Sequence, residues 1–448
     1  MMMMMIKTRE KNHCSNYRGI AWLSIAGKIL ARVLLNRLIL TIAQENMPES
    51  QCGFRFNRGM TDTILVLRQC RKQSISLYAA FVDLTKAFDT VSHDGLWKIF
   101  AHLDCPPEFL TILCQLHEGQ QGQIKHNGSL LGNFPISNGI KQGCVLAPTL
   151  FSIFFSIMLR EAQEDLPDNI YICFQTDNSL FNLQHLLACM KTINELITDL
   201  LFADGCTFLA YMEEALQHII NCFSDAAKNF GLTISLKKTE MLYQSPSLET
   251  YSPPHTSIDG TNLNTVEHFT FLGSVISNDA TGRKDLENCF SEASSSFGRL
   301  LKRVWQSHAL CLSTKIQIFR AVIVPTLLYS AETWNLYRKQ IRLLEQFHKH
   351  CLRSIFSIKC QGHVSNEEIL KRASLPSIES ILFQVQLCWA GHVTRVEDLC
   401  IPKTVFLCEL EEGKHNHGDP RKRYKDQLKR QLAQLGNSHQ SWQQEASD

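Results

Sequence analysis

A chain of 448 residues has room for about two to four domains and a sizeable core. Its 17 cysteines, odd in number and without any Cys-x2-Cys pair, argue against a disulfide scaffold and fit free thiols in a reducing, intracellular compartment, nucleus or cytoplasm. No stretch approaches the ~18 uncharged apolar residues of a membrane helix, and the start, MMMMMIKTRE, lacks the apolar core of a secretory signal.

The formal net charge of +2 is unevenly spread. Residues 298–448 carry 22 Lys and Arg against 14 Asp and Glu, leaving 23 against 29 for residues 1–297. An acidic front with a basic tail suits a metal site joined to a polyanion partner, and an ordinary solvated helical surface accounts for it equally well. Five consecutive Met residues running straight into a patterned segment lead us to expect a chain that begins partway through a larger protein.

In chain order, Tyr17–Leu40 becomes helical from about Lys28, with apolar residues at three- and four-residue steps around Arg32 and Arg37. Pro48–Gly59, PESQCGFRFNRG, is a loop rich in turn formers and arginine. Thr61–Lys72 resumes as a helix capped by Thr61 or Asp62. Ala80-Phe81-Val82 reads as a buried strand ending at Asp83, followed by a helical turn that carries Lys86, Phe88 and Asp89. A helix through Trp97–Leu103 closes at Pro106-Pro107, and Gln123–Gly132 forms a hairpin about His126-Asn127-Gly128. Asn138–Pro148, NGIKQGCVLAP, is a glycine-punctuated loop leading into the apolar helix Thr149–Arg160.

Thr198–Tyr211, TDLLFADGCTFLAY, reads as two short apolar strands, Leu200–Phe202 and Thr207–Tyr211, joined through Ala-Asp-Gly. Asp-Gly between apolar runs is a hairpin signal, because both central residues of the favoured turn take positive φ. Asp204 then sits at the tip with its carboxylate pointing away from the apolar body. Alone, such a pair is most often just a turn. Asp83, set the same way at another strand end, raises a second reading, in which two carboxylates converge on a cation and the phosphates it carries.

Beyond it, Glu213–Phe230 is an amphipathic helix ended by Gly231, and a strand with a Lys237-Lys238-Thr239-Glu240 rim follows. Ser245–Pro254 is the clearest linker, and Phe269–Ile276 looks like a strand pair. From about Asp285 the pattern is helical, broken near Pro325, Pro376 and Pro402. The last forty residues, with Arg421-Lys422-Arg423, read as part helix and part disorder. Cys360-x2-His363 and Cys388-x3-His392 have ligand-like spacings, for which buried thiols and surface imidazoles are a simpler reading than zinc.

The order of these pieces resembles the reverse transcriptases of non-LTR, LINE-type retrotransposons. The resemblance runs from about Tyr17 to Ile276 and more weakly through the helical tail. It rests on FVDLTKAFD at 81–89, GIKQGCVLAPTLF at 139–151, the FAD hairpin, GLTISLKKTE at 231–240 and FLGS at 271–274. It implies an α+β right-hand polymerase. Fingers and a palm with an antiparallel sheet would fill residues 1–276, a helical thumb 277–345 and a basic helical region 346–448. The family's usual endonuclease would lie before residue 1.

The same resemblance implies Mg²⁺, with Mn²⁺ as a substitute, together with dNTPs, an RNA template, a DNA primer and no membrane partner. Asp83 and Asp204 match the metal-binding carboxylates, and Phe88 the aromatic gate against a ribose 2′-hydroxyl, with plain core packing as the other reading. Gln142 and Gly143 match the loop along the nascent base pair. Lys238 matches the basic residue near the leaving pyrophosphate, with Lys237 beside it as the alternative. Arg18 and Arg55 match finger arginines that meet template or triphosphate, and Phe271-Leu272-Gly273 matches the primer grip.

Three positions depart from the family pattern. The hairpin normally carries two acids, and here the second is Gly205. Gly19 and Phe56 stand where the family tends to carry Pro. Two functions follow as expectations: an RNA-directed DNA polymerase, or an inactive retroelement-derived protein that keeps the fold and binds nucleic acid.

Overall fold

The strand Leu77–Val82, LYAAFV, is apolar throughout and buried along nearly its whole length, as a central strand covered on both faces must be. Its side chains alternate between two cores. Ala80 and Val82 join the larger one, while Leu77, Ala79 and Phe81 face the other. The computed structural model describes residues 2–6, 17–21, 23–70, 76–126, 129–130, 132–163, 170–175, 192–245, 254–278, 282–358, 364–397, 400–407, 424–434, 442 and 446.

Across the sheet the strands run Asn264–Thr265, Glu240–Gln244, Leu77–Val82, Gly205–Ala210 and Asp199–Phe202. All neighbours are antiparallel except the short first pair. This is the mixed, antiparallel-rich α+β class expected. The apolar helix Ala147–Gln163 and the buried face of the amphipathic helix Glu213–Asn229 supply most of the cover on the larger core's side. The other side is covered by the helix Met60–Cys70 and by the hairpin of His268–Phe271 and Ser274–Ser277. Phe269 stacks on Phe81 there with ring centroids 4.1 Å apart.

Met60–Cys70 is sandwiched. Its Ile64, Val66 and Leu67 meet the sheet, while Leu65 packs with Trp389, Val393, Phe406 and Leu428 from C-terminal helices. A further apolar cluster runs from Leu286 to Leu382, across the expected division at 345/346. The carboxylate of Asp285, wholly buried, ties the parts together. It accepts hydrogen bonds from Arg68 (2.6 Å), the Val275 amide (2.7 Å), Trp334 (2.7 Å), Ser274 (3.1 Å) and Ser330 (3.2 Å).

Several local expectations shift. The first long helix begins at Ile25, three residues early, because the Ser24 hydroxyl accepts from the Gly27 amide at 3.1 Å. Asp62 is not the cap of its helix. It sits in the first turn and its carboxylate reaches back to the Gly59 amide at 2.8 Å. Pro106-Pro107 does not merely close a helix; Pro107 opens the next, Pro107–His117, where a missing N–H costs nothing. Pro325 likewise lies in the first turn of Val324–Leu327, after a π-helical turn.

The strand pair about residues 269–276 and the helix before Gly231 form as expected. Lys125 pairs with Leu130 and His126 with Ser129, as a hairpin there requires. Most of the 245–254 linker, Cys360, His363 and Arg421-Lys422-Arg423 lie outside the described residues. Among the described residues no helix is long and apolar enough to cross a membrane.

Candidate active site

The larger core brings one end of the sheet, a helical turn and two loops around a cavity of about 590 Å³. Asp83, Phe88, Gln142, Gly143, Asp204 and Lys238 all line it, although they span 155 positions of sequence. Each arrives by a separate local device.

Asp83 follows the last paired residue of the central strand, where Val82 is opposite Cys206. Continuing that antiparallel register by one step sets Gly205 across from Asp83 and leaves Asp204 in the adjoining turn. The Cys206 thiol records the same closeness. Burial pushes its pKa well up, and the carboxylates of Asp199, Asp204 and Asp83 push it further. The Asp83 backbone is fixed on both sides: its carbonyl accepts from the Ser235 amide at 2.8 Å and its amide donates to the Thr239 hydroxyl at 3.4 Å. Its side chain forms an ion pair with the Lys238 ammonium. Of the two neighbouring lysines, therefore, Lys238 turns into the cavity and Lys237 is absent from its lining.

The FADG turn differs from expectation. Phe202 pairs with Gly205, so the central residues are Ala203 and Asp204, and Gly205 is already strand. Positive φ falls on Ala203 (+58°), and Gly205 is not left-handed. A Cβ built on Gly205 would have only the Phe202 carbonyl oxygen within 4 Å, at 3.5 Å.

The helical turn Ala87–Thr90 follows Lys86, itself left-handed at φ +51° and exposed to the cavity. Phe88 lines the cavity and stacks on Phe151 at 4.5 Å. The Gln142-Gly143 loop is strapped to its surroundings. The Gln142 carbonyl accepts from the Ala21 amide at 2.7 Å, and the Phe88 carbonyl accepts from the Ile140 amide at 2.7 Å.

Other expected residues stand elsewhere. Arg55 is bound to Glu49 at 2.7 Å and to the Pro48 carbonyl at 2.9 Å, outside the cavity lining. Arg18 lies in the strand Tyr17–Ala21, and its side chain is outside the described residues. Phe271, Leu272 and Gly273 sit on the covered face of the sheet, with Phe271 against Phe81 and the Leu272 carbonyl accepting from Tyr329 at 2.6 Å.

Sequence reasoning missed Gln51, Gly53, Phe54 and Ser235. Phe54 and Ser235 line the cavity, and Gln51 and Gly53 touch Ala203. Only Gly53 left a signal, a glycine inside an arginine-rich loop. Among the described residues no three His, Cys, Asp or Glu side chains are grouped to hold a metal ion. Three carboxylates line the cavity, Asp83, Asp89 and Asp204, and oxygen donors of this kind suit a hard cation that completes its shell with phosphate and water.

Residues 8–276 match the family model described as reverse transcriptase (RNA-dependent DNA polymerase). The chain belongs to this family. The reverse transcriptase domain thus covers the whole sheet and the cavity. The chain is 23% identical over 428 residues to an RNA-directed DNA polymerase from mobile element jockey of Drosophila melanogaster, covering 93% of this chain and 43% of the relative. To the Pol polyprotein from the type-2 retrotransposable element R2DM of the same fly it is 29% identical over 164 residues, covering 36% of this chain and 15% of the relative. The reverse transcriptase relatives are therefore of the non-LTR retrotransposon kind, and the chain spans less than half the length of each. A solved telomerase from Candida albicans, in complex with a fragment of telomeric RNA, aligns at a TM-score of 0.40 and 13% identity, covering 79% of this chain and 58% of that one.

Proposed function

We propose that this chain adds dNTPs to a DNA primer on an RNA template, inside the cell. The observation that carries the reading is the convergence of Asp83 and Asp204 on one cavity with Lys238, Phe88, Gln142 and Gly143. Asp83 and Asp204 would hold Mg²⁺, or Mn²⁺ in its place; when bound, it lowers the pKa of the primer 3′-hydroxyl and screens charge at the reacting phosphorus. Lys238, paired with Asp83, exchanges that carboxylate for the outgoing pyrophosphate. Lys86 adds a second cation on the same wall. Phe88 closes the space beside a deoxyribose, its ring held by Phe151. Gly143 lets backbone approach the nascent base pair.

In this reading residues 1–276 act as fingers and palm, 277–345 as thumb, and the basic 346–448 adds phosphate contacts. Phe271-Leu272-Gly273 steadies the primer from below the sheet. Arg18 and Arg55 meet template or triphosphate, Arg55 after leaving Glu49.

Gly205 favours a second reading, in which the cavity binds nucleic acid and primer but the chemistry is lost, since one missing ligand misplaces the reacting atoms. Extension of oligo-dT on poly-A with Mg²⁺ or Mn²⁺ separates the two. We expect Gly205→Asp to raise extension by roughly tenfold or more, and Asp204→Ala in that background to abolish it. A folded Gly205→Asp protein that binds primer–template yet adds no nucleotide overturns the polymerase reading and leaves the binding one.

A further inference from the structure

Ala203, the residue before Asp204, holds a left-handed backbone (φ +58°) that an L-residue adopts only at a cost. It is also buried, so its amide and carbonyl need partners other than water. One side chain supplies both. Gln51, with no exposed surface, accepts from the Ala203 amide through Oε1 at 3.1 Å and donates from Nε2 to the Ala203 carbonyl at 3.3 Å. Its Oε1 also accepts from the Gly53 amide at 2.9 Å. Two N–H groups facing one end of the amide and a carbonyl facing the other fix its orientation.

The backbone around Gln51 is docked on the same hairpin. The Cys52 amide donates to the Leu201 carbonyl and the Leu201 amide to the Ser50 carbonyl, each at 3.0 Å. A Cβ on Gly53 would fall 2.3 Å from the Ala203 nitrogen, so only glycine permits the approach. Among side chains of this length, a neutral amide alone offers both a donor and acceptors without adding charge beside the cavity carboxylates.

We propose that Gln51 is the positioning residue for Asp204: by gripping both backbone groups of Ala203 it fixes the turn that aims the carboxylate into the cavity. This rests on the reading of Asp204 as a ligand for a divalent cation.

The test is Mn²⁺ affinity of the purified full chain, read from free Mn²⁺ by electron paramagnetic resonance, with melting temperature recorded alongside. Asp204→Ala sets the value for a site without that ligand. Gln51→Met keeps the length and removes every side-chain hydrogen bond, and should weaken Mn²⁺ about 10- to 100-fold, the usual effect of losing an outer support. Gln51→Glu keeps the acceptors and should fall between. Ser50→Ala removes a hydrogen bond to buried Asp199 (2.7 Å) in the same loop and should lower the melting temperature without moving Mn²⁺ affinity.

A folded Gln51→Met protein with wild-type Mn²⁺ affinity overturns the proposal. If that variant does not fold, Gln51→Asn, which withdraws the amide by one methylene, takes its place under the same criterion. If wild type and Asp204→Ala bind Mn²⁺ alike, the ligand reading fails instead. Gln51 is then judged by hydrogen exchange at the Ala203 amide, where an unchanged rate in the variant overturns its role.

Discussion

Two hairpins of the reverse transcriptase domain, FLGS and FADG, both close through two central residues, by different means. In FLGS the central residues Leu272 and Gly273 both take positive φ, +49° and +83°, as a two-residue turn prefers, and Gly sits where it relieves most strain. In FADG the strained residue is Ala203, and relief comes from Gln51, some 150 positions upstream. The first turn carries a glycine at one of its left-handed positions, and the second has none there and leans on a loop far upstream. The residue that most needs accurate placement, Asp204, thus rides on the turn that is least self-sufficient.

The comparison breaks most visibly at the anchor of the FLGS hairpin. Asp285→Ala leaves Arg68 buried without its charge partner and frees the Val275 amide, and should cost about 3–5 kcal/mol in urea unfolding. A loss under ~1 kcal/mol would show that this hairpin stands without its anchor.

Next comes Gly53→Ala, which drives a methyl into the Ala203 backbone. We expect about 1–3 kcal/mol lost in the same measurement, with primer extension falling as well because Asp204 shifts. Gly273→Ala should cost about 1–2 kcal/mol, from φ +83° and from Tyr329 ring atoms at 3.0 Å, and should act on nucleotide addition through the primer, raising its KM while kcat at saturating primer is kept. Equal losses of kcat from these two variants would erase the distinction between the hairpins.

The smallest effect sharpens it. Gly205→Asp should change stability by less than ~0.5 kcal/mol in the presence of Mg²⁺, since neither φ nor space demands glycine there. A melting temperature lowered by many degrees would mean that the turn had adapted to its missing acid.

What the sequence made legible was local. Asp83 at the end of an apolar run, the FLGS turn and the helix before Gly231 each carry their signal within a few residues. What stayed hidden was set by distant partners. Nothing in Lys237-Lys238 says which turns inward until Asp83 is in place. Asp-Gly looked like the centre of its turn because Gln51, the reason for Ala203, is invisible at that range. Asp62 looked like a cap, yet it is a buried carboxylate that also accepts from Trp389 at 3.2 Å and whose pKa is raised by that burial.

That last contact has a consequence in time. The helix Met60–Cys70 lies between the sheet and a C-terminal cover, and its partner Trp389 comes 327 residues after Asp62. At about 5–20 residues per second, a ribosome delivers that cover roughly 16 to 65 seconds after the helix has emerged. For that interval Leu65 has no outer neighbour, so the nascent chain carries an unsealed apolar face that a holding chaperone would recognise.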